Sequence, residues 1–536
     1  MARIVLLSFH LFVHAQAKNV LFFMPDDGDL GSSSLTPNFN RIRSEGVIFN
    51  SAFVAGTSCA PSRFNIITGR YCSRSTFAQA NPLTGDGLTY VDSSNTCKLD
   101  GDDLVMNLAH QLNVHGQYRT IISGKWHLAQ RTSKFNDYAA DVETVRNAGF
   151  SEPVAIYIEN LPRKESRFSE LGFSHNTEWL TATANAAIED AVINENAPFF
   201  VYFTPTCPHV PSTLQALTDF QLVDTPSGTL DVIPDHGHEF SRAQVVDMSG
   251  GNEHSAAMIW NDNALGSLMA KMGHLGVLNE TLIIVAMDHG EPKFGMQQSS
   301  ASISMFARLP GRIQAGSFIN FPTSHLDIAP TIFEYTGIVP DEGYHTDGKS
   351  WYGAATGKNL TSTRSCVIFE HFQNRAVSCD YLGMKLSFYH STGSFELYDF
   401  VADPLEQEDV YGVKAYAETQ AFLETYLNCH MESTNPSDLV ECDPENSSDD
   451  QVTLGPTIQL SPMPSLRPTS TSSQVENTSE ELVTSSPSFT MSPMPTSLPM
   501  PFQAVMPSLA PSSTTTMSPT TRRKRKQTKK ERRSGN

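Results

Sequence analysis

The sequence predicts an α/β fold: a large, mostly parallel sheet with helices on both faces, a small C-terminal antiparallel sheet subdomain and a disordered tail. Three features carry this prediction. From about residue 18 to 430, short apolar runs alternate with helical patterns, as in a parallel sheet covered on both faces. From about 365 to 413 the pattern changes to short strands joined by turns. Beyond residue 443 Ser, Thr and Pro dominate, a composition that cannot bury enough apolar surface to offset its ordering entropy.

The elements follow in chain order. Residues 1–17 read as a secretory signal, with Arg3 as its charge, 4–13 as its apolar stretch and Ala15-Gln16-Ala17 as the cleavage site. That stretch is too short to cross a bilayer, and no later apolar run reaches the roughly twenty residues a transmembrane helix needs. Residues 19–24 are the first strand. Thr36 caps a helix that opens with Pro37 and closes at Gly46. Val47–Phe53 is extended, and a helix begins at Pro61 and runs to Thr68. Asp102 and Asp103 precede an amphipathic helix carrying Leu104, Val105, Leu108 and Leu112 on one side. Strands are expected over 118–122, 199–203 and 281–287, and helices over 179–193, 254–272 and 326–335. In the C-terminal part, strands are expected over 367–369, 381–389 and 395–398.

The organisation is therefore a signal peptide (1–17), a main α/β domain (18–360), an antiparallel subdomain (361–442), a disordered stalk (443–521) and a basic tail (522–536). The tail holds nine Lys or Arg against one Glu. It suits a polyanionic polysaccharide or an acidic membrane surface, and equally a solvated terminus with no partner. The whole chain carries a formal charge of −20, so the body is acidic and disfavours nucleic acid. Secretion sets an oxidising context for eight cysteines whose spacings suit no zinc motif. Cys366 with Cys379 and Cys429 with Cys442 are the local pairs the spacing suggests, although connectivity does not follow from sequence. Asn279, Asn359, Asn446 and Asn477 begin glycosylation triplets.

Five polar clusters follow predicted strands: Asp26-Asp27, Cys59, Lys125 with His127, Pro208-His209-Val210-Pro211 and Asp288-His289-Gly290. Sites in open parallel sheets form at the carboxyl ends of strands, so these clusters should meet in one crevice. Three carboxylates with oxygen or imidazole donors make a cage for a divalent cation, calcium or magnesium ahead of zinc. Singly, each cluster has a plainer reading: a turn, an N-cap or a satisfied histidine.

The run Cys59-Ala60-Pro61-Ser62-Arg63, with Thr68-Gly69-Arg70 four residues on, resembles the sulfatase signature, in which the cysteine is oxidised to formylglycine. Asp26-Asp27, Gly124-Lys125-Trp126-His127, Pro208 to Pro211 and Asp288 to Gly290 stand in sulfatase order, and the resemblance covers roughly residues 18 to 413. It implies a secreted sulfuric ester hydrolase. Asp26, Asp27, Asp288 and His289 would hold calcium (or, second, magnesium), with modified Cys59 as a further ligand. Arg63 would stabilise the formylglycine hydrate, Lys125 and Lys293 would contact sulfate oxygens, and His127 and His209 would handle protons. The hydrate has two hydroxyls: one attacks sulfur and expels the alcohol, and the other loses a proton as sulfate leaves. Conversion of Cys59 needs a formylglycine-generating enzyme. The stretch after Asp288 is shorter than in many family members, which makes Lys293 the loosest assignment and its alternative a solvated lysine. Arg74 and Glu291 are weaker candidates for the rim, which residues 130–175 and 210–250 would build as loops. His325 and Asp327 are expected to shape a helix start.

Two rivals stay open. A phosphomonoester or phosphodiester hydrolase of the same broader fold group is one, and an inert wall or matrix protein with an unconverted Cys59 is the other. The substrate, an extracellular sulfated saccharide or an aryl sulfate, is not specified by these motifs.

Overall fold

The longest apolar runs of the chain become the inner strands of one sheet. The structure, a computed structural model, describes residues 18–31, 33–76, 97–129, 137–163, 170–233, 235–358 and 364–433. The expected signal, the triplets at Asn359, Asn446 and Asn477, Cys442, the stalk and the basic tail lie outside these residues. Among the described residues no helix is long and apolar enough to cross a membrane.

The strands are β1 (Asn19–Phe23), β2 (Val47–Phe53), β3 (Arg119–Lys125), β4 (Glu152–Tyr157), β5 (Phe199–Thr204), β6 (Asp224–Thr225), β7 (Gly228–Thr229), β8 (Thr281–Ala286), β9 (Ser302–Arg308), β10 (Ser317–Ile319) and β11 (Thr323–Ser324). The large sheet runs β10-β2-β9-β8-β1-β5-β3-β4, with β11 also on β2, while β6 and β7 form a separate short hairpin. Every pairing is parallel except those of β9 with β2 and β8.

Alternate residues of one strand serve opposite cores. Val20 and Phe22 pack with Phe200, Tyr202, Leu282 and Ile284 on one face. Leu21 and Phe23 pack with Phe199, Val201, Ile283 and Val285 on the other. With both faces covered, each strand must be apolar throughout, which is why these runs do not alternate with polar residues.

Helix α1 (Pro37–Glu45) opens at Pro37 and ends at Gly46 as expected. Gly46 is required by packing, since a Cβ there would lie 2.0 Å from Ala307 O of β9. Helix α2 (Cys59–Thr68) starts two residues earlier than Pro61, so Cys59 itself stands in its first turn.

Several expectations are corrected. The single helix expected after Asp102 and Asp103 is split into a 3-10 turn, Gly101–Leu104, and a helix, Leu108–Gly116. Asn107 causes the break: its side chain caps the second helix by accepting from His110 N. Strand β3 continues to Lys125 rather than stopping at 122. The stretch 130–175 is not simply a rim loop, because it contains β4 and a helix, Tyr138–Asn147. Likewise 210–250 holds two short helices, Thr213–Asp219 and Arg242–Met248, besides β6 and β7.

The second sheet is antiparallel and consecutive: β12 (Val367–His371), β13 (Asn374–Cys379), β14 (Met384–Tyr389) and β15 (Ser394–Asp399). Strand β13 was not anticipated, and the expected strand from Tyr381 begins only at Met384. Leu423 and Leu427 of the helix Ala417–Glu432 close its core against Val377, Leu386 and Leu397. Disulfides join Cys72 to Cys97 and Cys366 to Cys379, and Cys59 and Cys207 are free. Cys429 is disulfide-bonded as well.

Glu370 of β12 ties this sheet to the loop before Cys59. Its N–H donates to Ala55 O at 2.9 Å, and its carbonyl accepts from Thr57 N at 3.3 Å. Its buried carboxylate accepts from Ser73 N (3.1 Å), Ser73 Oγ (2.6 Å) and His430 Nε2 (3.1 Å), and pairs with Arg375 Nε (2.9 Å). A second tie runs from Lys385, which donates to Met296 O and to the Glu406 carboxylate, while Glu406 accepts from Gln298 N at 2.7 Å.

Burial alone would raise the Glu370 carboxyl, but Arg375, His430 and Ser73 outweigh it and bring it down to about 2. A depressed carboxyl stabilises the fold above its unfolded pKa of about 4.3 and loses that contribution as pH falls toward 2. Denaturant unfolding between pH 5 and pH 2 should therefore show stability falling with pH. Glu370→Gln should be less stable at neutral pH and show a shallower acid dependence.

Candidate active site

The five clusters converge at the carboxyl ends of β1, β2, β3, β5 and β8. Strand β1 delivers Asp26 and Asp27, whose backbone continues beside the next strand's exit: His209 N donates to Asp26 O at 2.9 Å. Strand β3 ends in Lys125, and Gly124 lets it do so. A Cβ on Gly124 would lie 2.0 Å from Thr204 O, and its φ of +127° is closed to other residues.

Asp26 is buried and enclosed by cations. Lys125 Nζ lies 2.8 and 2.6 Å from its two oxygens, and Arg63 Nη2 lies 3.1 Å from Oδ1. Arg63 also donates from Nη1 to Lys125 O at 2.9 Å and lies 3.9 Å from Asp288 Oδ2. Burial raises the Asp26 carboxyl, yet Lys125, His209 and Arg63 together hold it well below the usual range.

Asp27 organises the other side. Its N–H donates to Asp288 Oδ1 at 2.9 Å. Its Oδ1 lies 2.7 Å from His289 Nε2, 2.8 Å from Lys293 Nζ and 3.9 Å from Cys59 Sγ. Its Oδ2 lies 3.9 Å from His209 Nε2. Cys59 Sγ is 3.8 Å from His289 Nε2. Asp288 behaves differently from Asp26: burial, with the two neighbouring carboxylates, raises it despite His289 and Arg63. Burial lowers His289, but Asp288 and Asp27 more than reverse this and raise it. Burial lowers His209 to about 4 and, with Lys125 and Lys98 adding to it, lowers His127 as well.

These residues fit a divalent cation. One ligand atom each from Asp27, Cys59, Asp288 and His289 lie within 4.8 Å of one another, as do atoms of Asp26, Cys59 and His209. Asp288 Oδ2 is buried with no hydrogen-bond donor. A buried carboxylate oxygen without a donor is costly unless a cation serves it.

The structure thus brings Asp26, Asp27, Cys59, Arg63, Lys125, His209, Asp288, His289 and Lys293 into one cluster. His127 stands at its edge, where Lys125 and Arg63 still act on it. Arg74 does not reach a rim: it is buried against Asp347. Glu291 is exposed and accepts from Lys293 N at 3.2 Å. His325 and Asp327 do shape a helix start, with Ser324 and Asp327 in a reciprocal cap.

Sequence reasoning passed over Glu159 and Lys98. Glu159 Oε2 lies 3.3 Å from His127 Nε2, and Lys98 Nζ lies 3.4 Å from Glu159 Oε1 and donates to His127 O at 3.3 Å. Glu159 follows β4 as Asp26 follows β1. The apolar run Val154 to Ile158 was the signal for it, hidden by the reading of 130–175 as loop. His175 was also missed. It contacts Thr206 Oγ1 at 2.6 Å and Pro211 O at 3.1 Å, buttressing the segment that bears His209.

Residues 18–338 match the family model described as Sulfatase. The chain belongs to the sulfatase family. Residues 291–433 of this sulfatase match a second model, N-sulphoglucosamine sulphohydrolase, C-terminal. It is similar to the N-acetylglucosamine-6-O-sulfatase of Bacteroides thetaiotaomicron, with 21% identity over 502 residues covering 75% of this chain and 84% of that one. Its fold resembles that of a protein solved in complex with its substrate D-glucosamine-2-N,6-O-disulfate (TM-score 0.55, 18% identity, 81% of this chain and 100% of that chain). It also resembles the phosphonate monoester hydrolase of Silicibacter pomeroyi (TM-score 0.53, 17% identity, 76% and 94% covered). The sulfatase is a sulfuric ester hydrolase.

Arg63 touches Asp26, approaches Asp288 and fixes the backbone of Lys125. Arg63→Leu should leave buried charge uncompensated and destabilise the fold by about 3–5 kcal/mol, measured by denaturant unfolding.

Proposed function

We propose that this sulfatase hydrolyses sulfate monoesters of extracellular saccharides, using Cys59 converted to formylglycine beside a calcium ion. The observation that carries the proposal is the place of Cys59: a free cysteine in the first turn of α2, with Sγ among the ligand atoms of Asp27, Asp288 and His289. The saccharide class is favoured by the similarity to an N-acetylglucosamine-6-O-sulfatase. Aryl sulfates remain a second class the site would accept.

Asp26, Asp27, Asp288 and His289 would hold the ion, which offsets their charge and polarises a sulfate oxygen when bound. A formylglycine hydrate at position 59 would supply the attacking hydroxyl and a second one to release sulfate. Arg63, locked by Asp26 and Lys125 O, keeps a fixed positive charge beneath residue 59. Lys125 and Lys293 rest on Asp26 and Asp27; were those carboxylates to hold an ion, both ammonium groups would be free to contact sulfate oxygens. Burial and nearby lysines disfavour the charged forms of His127 and His209. A bound sulfate ester adds negative charge beside them and raises their proton affinity, which suits proton transfer at the hydrate and the leaving oxygen.

The remaining features complete the reading: secretion through the segment 1–17, maturation by a formylglycine-generating enzyme, and a stalk whose basic end holds polyanionic polysaccharide. The catalytic domain would span 18–360 and the antiparallel subdomain 361–442. Likeness to a phosphonate monoester hydrolase makes the fold neutral between sulfur and phosphorus, so the choice is one for measurement.

The peptide containing Cys59, taken from secreted protein, should be lighter by about 18 Da than its thiol form. Cys59→Ala should lower turnover of an aryl sulfate on the order of 10⁴-fold or more, and wild type should prefer aryl sulfate to aryl phosphate. Turnover dominated by phosphate would sink the proposal. Calcium at about 100 times its Kd should add about 2.7 kcal/mol of unfolding free energy, lost on adding a chelator.

A further inference from the structure

The mouth of the site carries an aromatic cluster that sulfate hydrolysis does not itself require. Phe294 follows Lys293, and Phe372 follows His371 at the end of β12. The Phe294 and His371 rings are 5.8 Å apart, and those of His371 and Phe372 are 4.3 Å apart. Both phenylalanines have positive φ, +66° and +53°, a region bulky side chains rarely occupy. Phe372 sits in the two-residue turn between β12 and β13, where Asn or Gly is the usual choice. Phe294 N donates to Thr57 O at 3.0 Å, two residues before Cys59. Backbone strain of this kind persists only where surroundings impose it, and it clusters at ligand clamps. Here it holds a phenyl group 37% exposed to water.

The location narrows the purpose. The two oxygens of Asp27 face two rim segments. On one side Lys293 Nζ lies 2.8 Å from Oδ1 and 5.6 Å from the Phe294 ring centroid. On the other, His209 Nε2 lies 3.9 Å from Oδ2 and is followed by Val210, 45% exposed. Apolar side chains therefore stand beside the sulfate-handling groups on both sides of the floor. A pyranose has an apolar C–H face and a polar edge. An aromatic face beside a cation and an imidazole matches both. The imidazole of His371 has no side-chain hydrogen-bond partner among the described residues, and burial, which lowers it to about 4, favours the neutral ring that can bond a hydroxyl.

We infer that Phe294, backed by His371 and Phe372, selects saccharide esters by stacking on the pyranose ring that bears the sulfate. This rests on the sulfatase reading above and adds the residue that chooses among sulfate esters. Positive φ dictates the variant: Phe294→Gly removes the ring while suiting the backbone that carries Lys293, and Phe294→Tyr restores an aromatic face. Both are compared with wild type as matured, full-length enzyme, with thermal melting to show that they fold. Substrates are a panel of monosulfated hexoses and hexosamines and a short alkyl sulfate. In Phe294→Gly the saccharide KM should rise, and the ratio of kcat/KM for saccharide over alkyl ester should fall roughly tenfold; Phe294→Tyr should recover it. An unaltered ratio, equal losses on both esters, or a wild type that cleaves the alkyl ester but no saccharide overturns the inference. If wild type cleaves neither ester, the proposed function itself has failed. The Phe294 stacking is then judged by saturation-transfer NMR with glucosamine 6-sulfate: signals lost in Phe294→Gly support it, and signals retained overturn it.

Discussion

Three carboxylates, Asp26, Asp27 and Asp288, share one crevice at the end of the large sheet, and their mutual repulsion sets the terms for everything around them. Such a trio is tolerated in a buried place only if positive charge is built in beside it. Arg63, Lys125, Lys293 and His289 supply that charge from three separate segments, the last two from the one loop after β8. The arrangement is unequal. Asp26 is saturated by Lys125 and Arg63, whereas Asp288 keeps an oxygen with no donor. Asp288 therefore has an oxygen already open to an ion, whereas Asp26 would have to exchange contact with Lys125 for one.

Holding this charge requires a rigid floor and two fixed loops. The floor comes from parallel strands apolar on both faces, which place their ends level with one another. The loops are fixed by the smaller sheet. Glu370 brackets the backbone of residues 55–57 ahead of Cys59, and the Lys385–Glu406 pair grips residues 296–298 after Lys293. The antiparallel sheet is thereby part of the active-site architecture, and the aromatic rim at Phe372 grows from the same hairpin. Four of the seven non-glycine residues with positive φ among the described residues, Asp27, His127, Phe294 and Phe372, belong to this site or its edge. Backbone strain is concentrated where side chains must be aimed.

Local chemistry was legible wherever the chain itself carried the signal. The apolar runs at β1, β5 and β8, the Thr36-Pro37 helix start and the Cys59 to Arg70 motif are contiguous, so propensity and spacing suffice to read them. Strand β9 was invisible because Ser302 to Arg308 mixes polar and apolar residues, and its antiparallel place between β2 and β8 is a matter of pairing. The helix expected over 104–112 failed because Asn107 favours a cap over a continuous turn, a competition between side chain and backbone that the apolar pattern does not register. Glu159, Lys98 and His175 were missed for a further reason: their roles exist only through partners distant in sequence.

By itself the sequence determined the fold class, the two sheets and the short list of groups able to do the chemistry, because each depends on neighbours along the chain. Only the tertiary structure decided which oxygen each cation contacts, which carboxylate is left with spare capacity, that Arg74 is buried against Asp347, and that two phenylalanines stand at the mouth. Those outcomes are set by distances across loops hundreds of residues apart, where electrostatics and packing act through space.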